Sequence, residues 1–144
     1  MEAKKRILIV DDDSDFVFVT KAVLQSKGYE CSCAYSAKEG LRKIKETNPD
    51  LIVLDIMMES LTAGFRLLTQ LRMAREGSEY FKYSKVPVLI VSNIERATGN
   101  KYKFKEVAGT SLLPVEGFIR KPAPPLLLLQ KVEELVSKRS NKCV

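Results

Sequence analysis

The chain has 144 residues, of which 45% are hydrophobic and 29% charged, with a formal net charge of +6. A chain this long fits one domain that can bury a core without a disulfide or metal staple. The longest apolar runs, such as Leu126 to Leu129, are too short to cross a bilayer, so no membrane insertion is expected. The apolar stretch near the N-terminus ends after four residues at Asp11-Asp12-Asp13, which argues against a secretory signal. Three cysteines are an odd number without an export signal, so a reducing cytoplasm is the expected location. The basic balance raises nucleic-acid binding. Its residues, however, fall in short scattered groups such as Lys4-Lys5-Arg6, Arg42-Lys43-Lys45 and Lys101-Lys103-Lys105. Solvated faces and tails account for these, and no direct contact with nucleic acid is expected.

The predicted elements follow in chain order. Lys5 to Val10 is an apolar run that reads as a buried strand. Ser14 to Lys27 reads as a helix with Phe16, Val19 and Val23 as its apolar stripe, stopped by Gly28 and capped by Asp13 or Ser14. Glu30 to Tyr35 is a second strand, on which Cys31 and Cys33 share one face and serve packing. Ser36 and Glu39 form a capping box for a helix that turns Leu41 and Ile44 inward and ends at Asn48-Pro49. Leu51 to Leu54 is a third strand, ended by Asp55. Gly64 to about Arg75 is helical, with Leu68 and Leu71 on one side. Val86 to Val91 and Gly117 to Arg120 are the fourth and fifth strands. Between them, Asn93 to Glu116 is broken by Gly99, Gly109 and Pro114, and holds at most a short helix. Pro125 starts a last helix that runs to about Lys138. Four consecutive leucines at its start cannot all face a sheet, so at least one of Leu126 to Leu129 is expected outside or under a partner.

Apolar strands alternating with amphipathic helices specify an α/β fold with a parallel sheet covered on both faces. Right-handed crossovers favour a flavodoxin-like, doubly wound, five-stranded sheet in the order 2-1-3-4-5. The expectation is one domain over residues 1–144, with a core from about 5 to 138 and a polar tail from 139 to 144.

In open α/β sheets ligands bind at the carboxyl ends of the strands, near the topological switch point. Here those ends carry Asp11, Asp12 and Asp13 on the first strand, Asp55 on the third, Ser92 and Asn93 on the fourth, and Arg120 and Lys121 on the fifth. A single Asp after a strand is usually a turn or helix cap. Several carboxylates together are different, because they cannot all stay ionised without a cation. Oxygen donors without His or Cys suit a hard ion such as Mg²⁺, and Lys121 and Ser92 suit phosphoryl oxygens. A carboxylate in such company can act as a nucleophile toward phosphorus.

These residues resemble the receiver domain of two-component response regulators, similar to single-domain chemotaxis regulators. The resemblance rests on Ile7-Leu8-Ile9-Val10-Asp11-Asp12-Asp13, Leu51-Ile52-Val53-Leu54-Asp55-Ile56-Met57-Met58, Val88-Leu89-Ile90-Val91-Ser92 and Phe118-Ile119-Arg120-Lys121-Pro122, in order and at suitable spacing. It implies a phosphoprotein whose Asp55 accepts a phosphoryl group from a sensor histidine kinase or phosphotransfer protein. Asp12 would ligate Mg²⁺ directly, Asp11 through water, and Asp55 and the Met57 carbonyl would complete the protein's ligands. Lys121 would pair with Asp55 and then with the phosphoryl group. Ser92 would move to bond a phosphoryl oxygen, Phe118 would turn inward behind it, and the Lys121–Pro122 bond would be cis. The family's hydrolytic water is flanked by side chains that here would be Met57 and Ile94. Neither orients a water, so the chain is expected to be no enzyme beyond slow autodephosphorylation.

The sequence departs from the family pattern in the segment from Asn93 to Glu116, which is longer than usual, and at three single positions. Glu59 stands where a Pro is usual, Gly64 comes one residue late, and Asn93 replaces a small residue after Ser92. An insertion in the loop after Met58 and crowding of the phosphoryl site by Asn93 are the corresponding expectations. With Val144 the last residue, a stand-alone receiver is expected, whose output goes to a downstream protein or to a self-dimer through the last helix. Two other readings are a phosphate-independent interaction module of the same fold and a phosphohydrolase of the haloacid-dehalogenase type. The second would use Asp11 and Asp13, but it leaves Asp55 and Lys121-Pro122 without a role.

Overall fold

The computed structural model describes residues 4–58, 63–93 and 114–142, with side chains described as far as 138. Five parallel strands form one sheet in the order β2-β1-β3-β4-β5. They are β1 (Arg6–Val10), β2 (Glu30–Ala34), β3 (Leu51–Leu54), β4 (Val88–Ser92) and β5 (Gly117–Arg120). The described helices are α1 (Ser14–Ser26), α2 (Ala37–Thr47), α3 (Ala63–Arg72) and α4 (Pro125–Lys142), with a short 3₁₀ turn at Phe81–Tyr83. The order, the parallel pairing and the helical cover on both faces are those the sequence specifies.

The two faces follow from strand alternation. Leu8, Val10, Ile52, Leu54, Val88 and Ile90 point to one side and pack with Ile44, Leu67, Leu68 and Leu71 of α2 and α3. Ile7, Ile9, Leu51, Val53, Leu89 and Val91 point to the other and pack with Val17, Leu24, Leu128, Val132 and Leu135 of α1 and α4. The central strands are buried on both faces, which is why they read as unbroken apolar runs. Cys31 and Cys33 both pack on the α1/α4 side, as expected, and burial pushes the Cys31 thiol up to about 11.

Several details differ from the expectation. The stripe of α1 is Val17, Thr20 and Leu24, while Val19 is 46% exposed and Phe16 and Val23 only flank the core. A polar Thr in the central register made the neighbouring apolar row look like the buried one. β2 stops at Ala34, one residue early, and β4 spans Val88 to Ser92. α3 ends at Arg72, short of the expected Arg75, and the Arg72 guanidinium binds the carbonyls of Ser84 and Pro114 and the Glu116 carboxylate. α4 runs on to Lys142, through much of the expected polar tail. Of the four leucines, Leu128 and Leu129 are buried, whereas Leu126 and Leu127 are 78% and 46% exposed. The expected short helix within 93–116 lies almost wholly outside the described residues.

Candidate functional site

The sheet ladder continues past the strand ends and sets the site. The Asp11 N–H donates to the Ala34 carbonyl at 3.0 Å, Asp55 N–H to Val10 at 2.9 Å, and Lys121 N–H to Ser92 at 3.0 Å. These bonds carry three charged residues to one end of the sheet with fixed backbones. α1 begins directly above them: Asp13 is its N-cap, and the Asp13 Oδ1 accepts from the N–H groups of Asp15 and Phe16 at 3.1 and 3.2 Å. Asp13 is thus taken up by the cap, as the turn reading allowed.

Asp11, Asp12, Asp55, Ser92 and Lys121 converge. A carboxylate oxygen from each of Asp11, Asp12 and Asp55 lies within 4.8 Å of the others. Lys121 Nζ donates to Asp11 Oδ2 at 2.7 Å and to Asp55 Oδ2 at 3.3 Å. The Ser92 hydroxyl donates to Asp55 Oδ1 at 2.7 Å, and the same oxygen accepts the Met57 N–H at 3.1 Å. Asp11 Oδ1 accepts the Asp13 N–H at 2.9 Å. Asp11, Asp55 and Ser92 are buried, while Asp12 is exposed at the mouth.

Burial is the largest influence on Asp11, and the negative charge of Asp55 adds to it. Together they outweigh the Lys121 and Asp13 hydrogen bonds and push its pKa up to about 6. Burial, followed by the charge of Asp55, also raises Asp12. For Lys121, burial alone would lower the pKa. Its hydrogen bond to Asp11 and the charges of Asp11 and Asp55 prevail, and the pKa is raised. One ammonium facing three carboxylates leaves excess negative charge, and every donor atom in the cluster is oxygen. That set fits a hard divalent cation such as Mg²⁺.

Phe118 lies on β5 opposite Ile90, half-buried against the α2/α3 cluster. The Lys121–Pro122 bond is cis, as the resemblance implied. Asn93 is partly buried just after β4, and Ile94 lies outside the described residues. The loop after Met58 is likewise outside them until Ala63, so the expected insertion is not described.

Two features escaped the sequence reading. A Cβ on Gly64 would run into the Asp55 carbonyl oxygen and come within 2.6 Å of the Ile56 Cα. The Gly64 N–H donates to the Ile56 carbonyl at 2.8 Å, so α3 seats directly on the backbone that carries Asp55. The other is Phe16, whose ring lies 4.5 Å from Lys121 Nζ. Its signal was an aromatic residue in the first turn of a helix that starts at the acidic strand end.

The doubly wound sheet and the acidic cluster at its strand ends fit a phosphoacceptor pocket suited to Mg²⁺. The family profile of the response regulator receiver domain matches residues 7–133, and the chain belongs to that family. It is 29% identical over 132 residues to the alkaline phosphatase synthesis transcriptional regulatory protein PhoP of Bacillus subtilis, covering 92% of this chain and 48% of that protein. It is 32% identical over 127 residues to the transcriptional regulatory protein YvrH of the same organism, covering 88% and 46%. The chain therefore spans about half the length of these curated relatives. A CheY-like receiver domain structure from Methanospirillum hungatei superposes with a TM-score of 0.76 at 28% identity, covering 97% of this chain and 99% of that one. Chemotaxis regulator CheY4 of Vibrio cholerae shares the fold, with a TM-score of 0.73 at 23% identity over 92% of this chain and 99% of that one.

Proposed function

We propose that this chain is a receiver that takes a phosphoryl group on Asp55 and changes conformation to signal. The observation that carries this reading is the placement of Asp55. One of its oxygens accepts from Ser92 and Met57, and the other faces Lys121 Nζ beside the Asp11/Asp12 pair. In the transfer, an Asp55 oxygen attacks phosphorus and the P–N bond of a kinase phosphohistidine breaks, its electron pair leaving with the imidazole nitrogen. Lys121 then pairs with a phosphoryl oxygen in place of the lost carboxylate charge, and the Ser92 hydroxyl donates to another. Phe118, beside Ile90 on the neighbouring strand, follows Ser92 as the switch.

Mg²⁺ would be held by Asp12, by Asp55, by the Met57 carbonyl, and by Asp11 through water. When bound it supplies positive charge to the oxygens of the transferring group. The partners are a sensor histidine kinase or a phosphotransfer protein, then a downstream protein or a second copy of the chain engaged through α4. No helix among the described residues is long and apolar enough to cross a membrane, and a cytoplasmic location accords with this reading.

The chain is not an enzyme toward other substrates, and the phosphoryl group leaves slowly. The test is incubation of the purified protein with acetyl phosphate and Mg²⁺, followed by intact-mass measurement. A single phosphoryl addition that needs Mg²⁺ and is lost in Asp55→Asn is expected. An unmodified wild type would favour the phosphate-independent interaction module.

A further inference from the structure

Lys121 Nζ has three N–H donors and no acceptor. The nitrogen lies 2.7 Å from Asp11 Oδ2 and 3.3 Å from Asp55 Oδ2, and a third neighbour is the Phe16 ring, with its centroid 4.5 Å away. The Lys121 side chain is only 17% exposed and Phe16 is half-buried against the α1/α4 core. A cation over an aromatic face is held more strongly in such a largely dry setting than on open surface. The backbone that carries the ring is itself tied to the acid that holds the lysine. The Phe16 N–H donates to Asp13 Oδ1 at 3.2 Å, and the Asp13 N–H donates to Asp11 Oδ1 at 2.9 Å. Asp11, Asp13, Phe16 and Lys121 therefore close a circuit of contacts around one ammonium.

We propose that Phe16 is a positioning residue for phosphoryl transfer, its ring holding Lys121 Nζ between Asp11 and Asp55. This rests on the reading of Asp55 as phosphoacceptor. A lysine stem has many rotamers, and each rotamer that points to solvent removes the ammonium from the place where phosphoryl charge develops. The ring restricts the side chain to the inward set. Plain packing is the competing explanation, and it makes a different demand: any apolar side chain of similar bulk would serve.

The experiment measures the rate of phosphorylation by acetyl phosphate at saturating Mg²⁺ for the full chain. Phe16→Leu keeps an apolar contact but has no aromatic face, and its rate is expected to fall about two- to fivefold. Phe16→Trp, with a stronger aromatic face, is expected to match or exceed wild type. Fluorinated phenylalanines placed at position 16 keep the shape but drain the ring of negative charge, and the rate is expected to fall with each added fluorine. A wild-type rate in Phe16→Leu would overturn the proposal. So would equal losses in the Leu and Trp variants, or a rate indifferent to fluorination. Failure of the underlying reading looks different: the wild type takes no phosphoryl group, or Asp55→Asn takes as much, and either result removes the proposal with it.

Discussion

Asp11 is the residue whose environment says most about the site. Its carboxyl is held near 6 against an ordinary 3.8, chiefly by burial. The folded state therefore binds this proton more tightly than the unfolded chain does. For the metal-free protein, stability from Asp11 is present below about pH 4 and is lost as the pH rises to about 6. Asp11→Asn has no proton to lose. The variant is expected to gain on wild type across that interval by about 1–3 kcal/mol and to hold the gain above it. Denaturant unfolding of both proteins at several pH values, with chelator present, checks this. A stability difference that does not change with pH would contradict it. Asp11→Asn should also bind Mg²⁺ more weakly, so the same substitution stabilises the empty domain and weakens its site.

At the same scale lies the lifetime of the phosphoryl group. Met57 is two residues past Asp55, and neither it nor Ile94 carries a group that orients a water. A positioned acid–base group is typically worth about 100-fold or more, so its absence slows hydrolysis. The double variant Met57→Asn, Ile94→Glu is expected to lose phosphate at least about tenfold faster than wild type. Decay followed by mass after removal of donor measures it, and equal decay would show that these side chains do not set the lifetime.

Elements explain how the residues are held. α3 approaches so closely that any side chain at position 64 meets the Asp55 carbonyl. Gly64→Ala must push α3 away from β3, at a cost of about 2 kcal/mol or more. The expected result is a lower unfolding midpoint together with slower phosphorylation, since the displaced loop carries Met57, whose N–H orients Asp55. Unchanged stability and rate would contradict the close seating. The sequence marked this glycine as one residue out of place, but spacing along a chain does not reveal which backbone a helix rests on.

Much else at this scale was legible. The strands announced themselves because both faces of β1, β3 and β4 are buried, and the strand ends announced the site because polar residues break those apolar runs abruptly. α1 was misread for a reason of the same kind. Thr20 occupies the middle of its buried face, so a reading by hydrophobicity moved the stripe onto Phe16, Val19 and Val23. Phe16 was then credited to the core, when its ring also meets Lys121. A contact between residues more than a hundred positions apart depends on how the start of α1 meets the residue after β5 at the strand ends, and periodicity within either segment does not contain that.

On the scale of the molecule, the site sits at one end of the sheet and the exposed apolar residues at the start of α4 lie close along the chain to Lys121. Leu126 is 78% and Leu127 46% exposed. Their replacement by lysine removes apolar surface that the fold does not use, so stability should change by no more than about 0.5 kcal/mol. If α4 is where phosphorylated copies or a target engage, Leu126→Lys with Leu127→Lys abolishes phosphate-dependent self-association, read by sedimentation with and without acetyl phosphate. Association that persists in this variant would place the contact elsewhere.

The central claim is that Asp55, among the four aspartates gathered at these strand ends, carries the phosphoryl group. Borohydride reduces an aspartyl phosphate to homoserine, which marks the residue permanently for peptide mapping. After treatment with acetyl phosphate and Mg²⁺, homoserine is expected at position 55, in the peptide that holds Ile56 and Met57, and at no other position. Homoserine at Asp11, Asp12 or Asp13, or none in a protein that has gained phosphate, would contradict it.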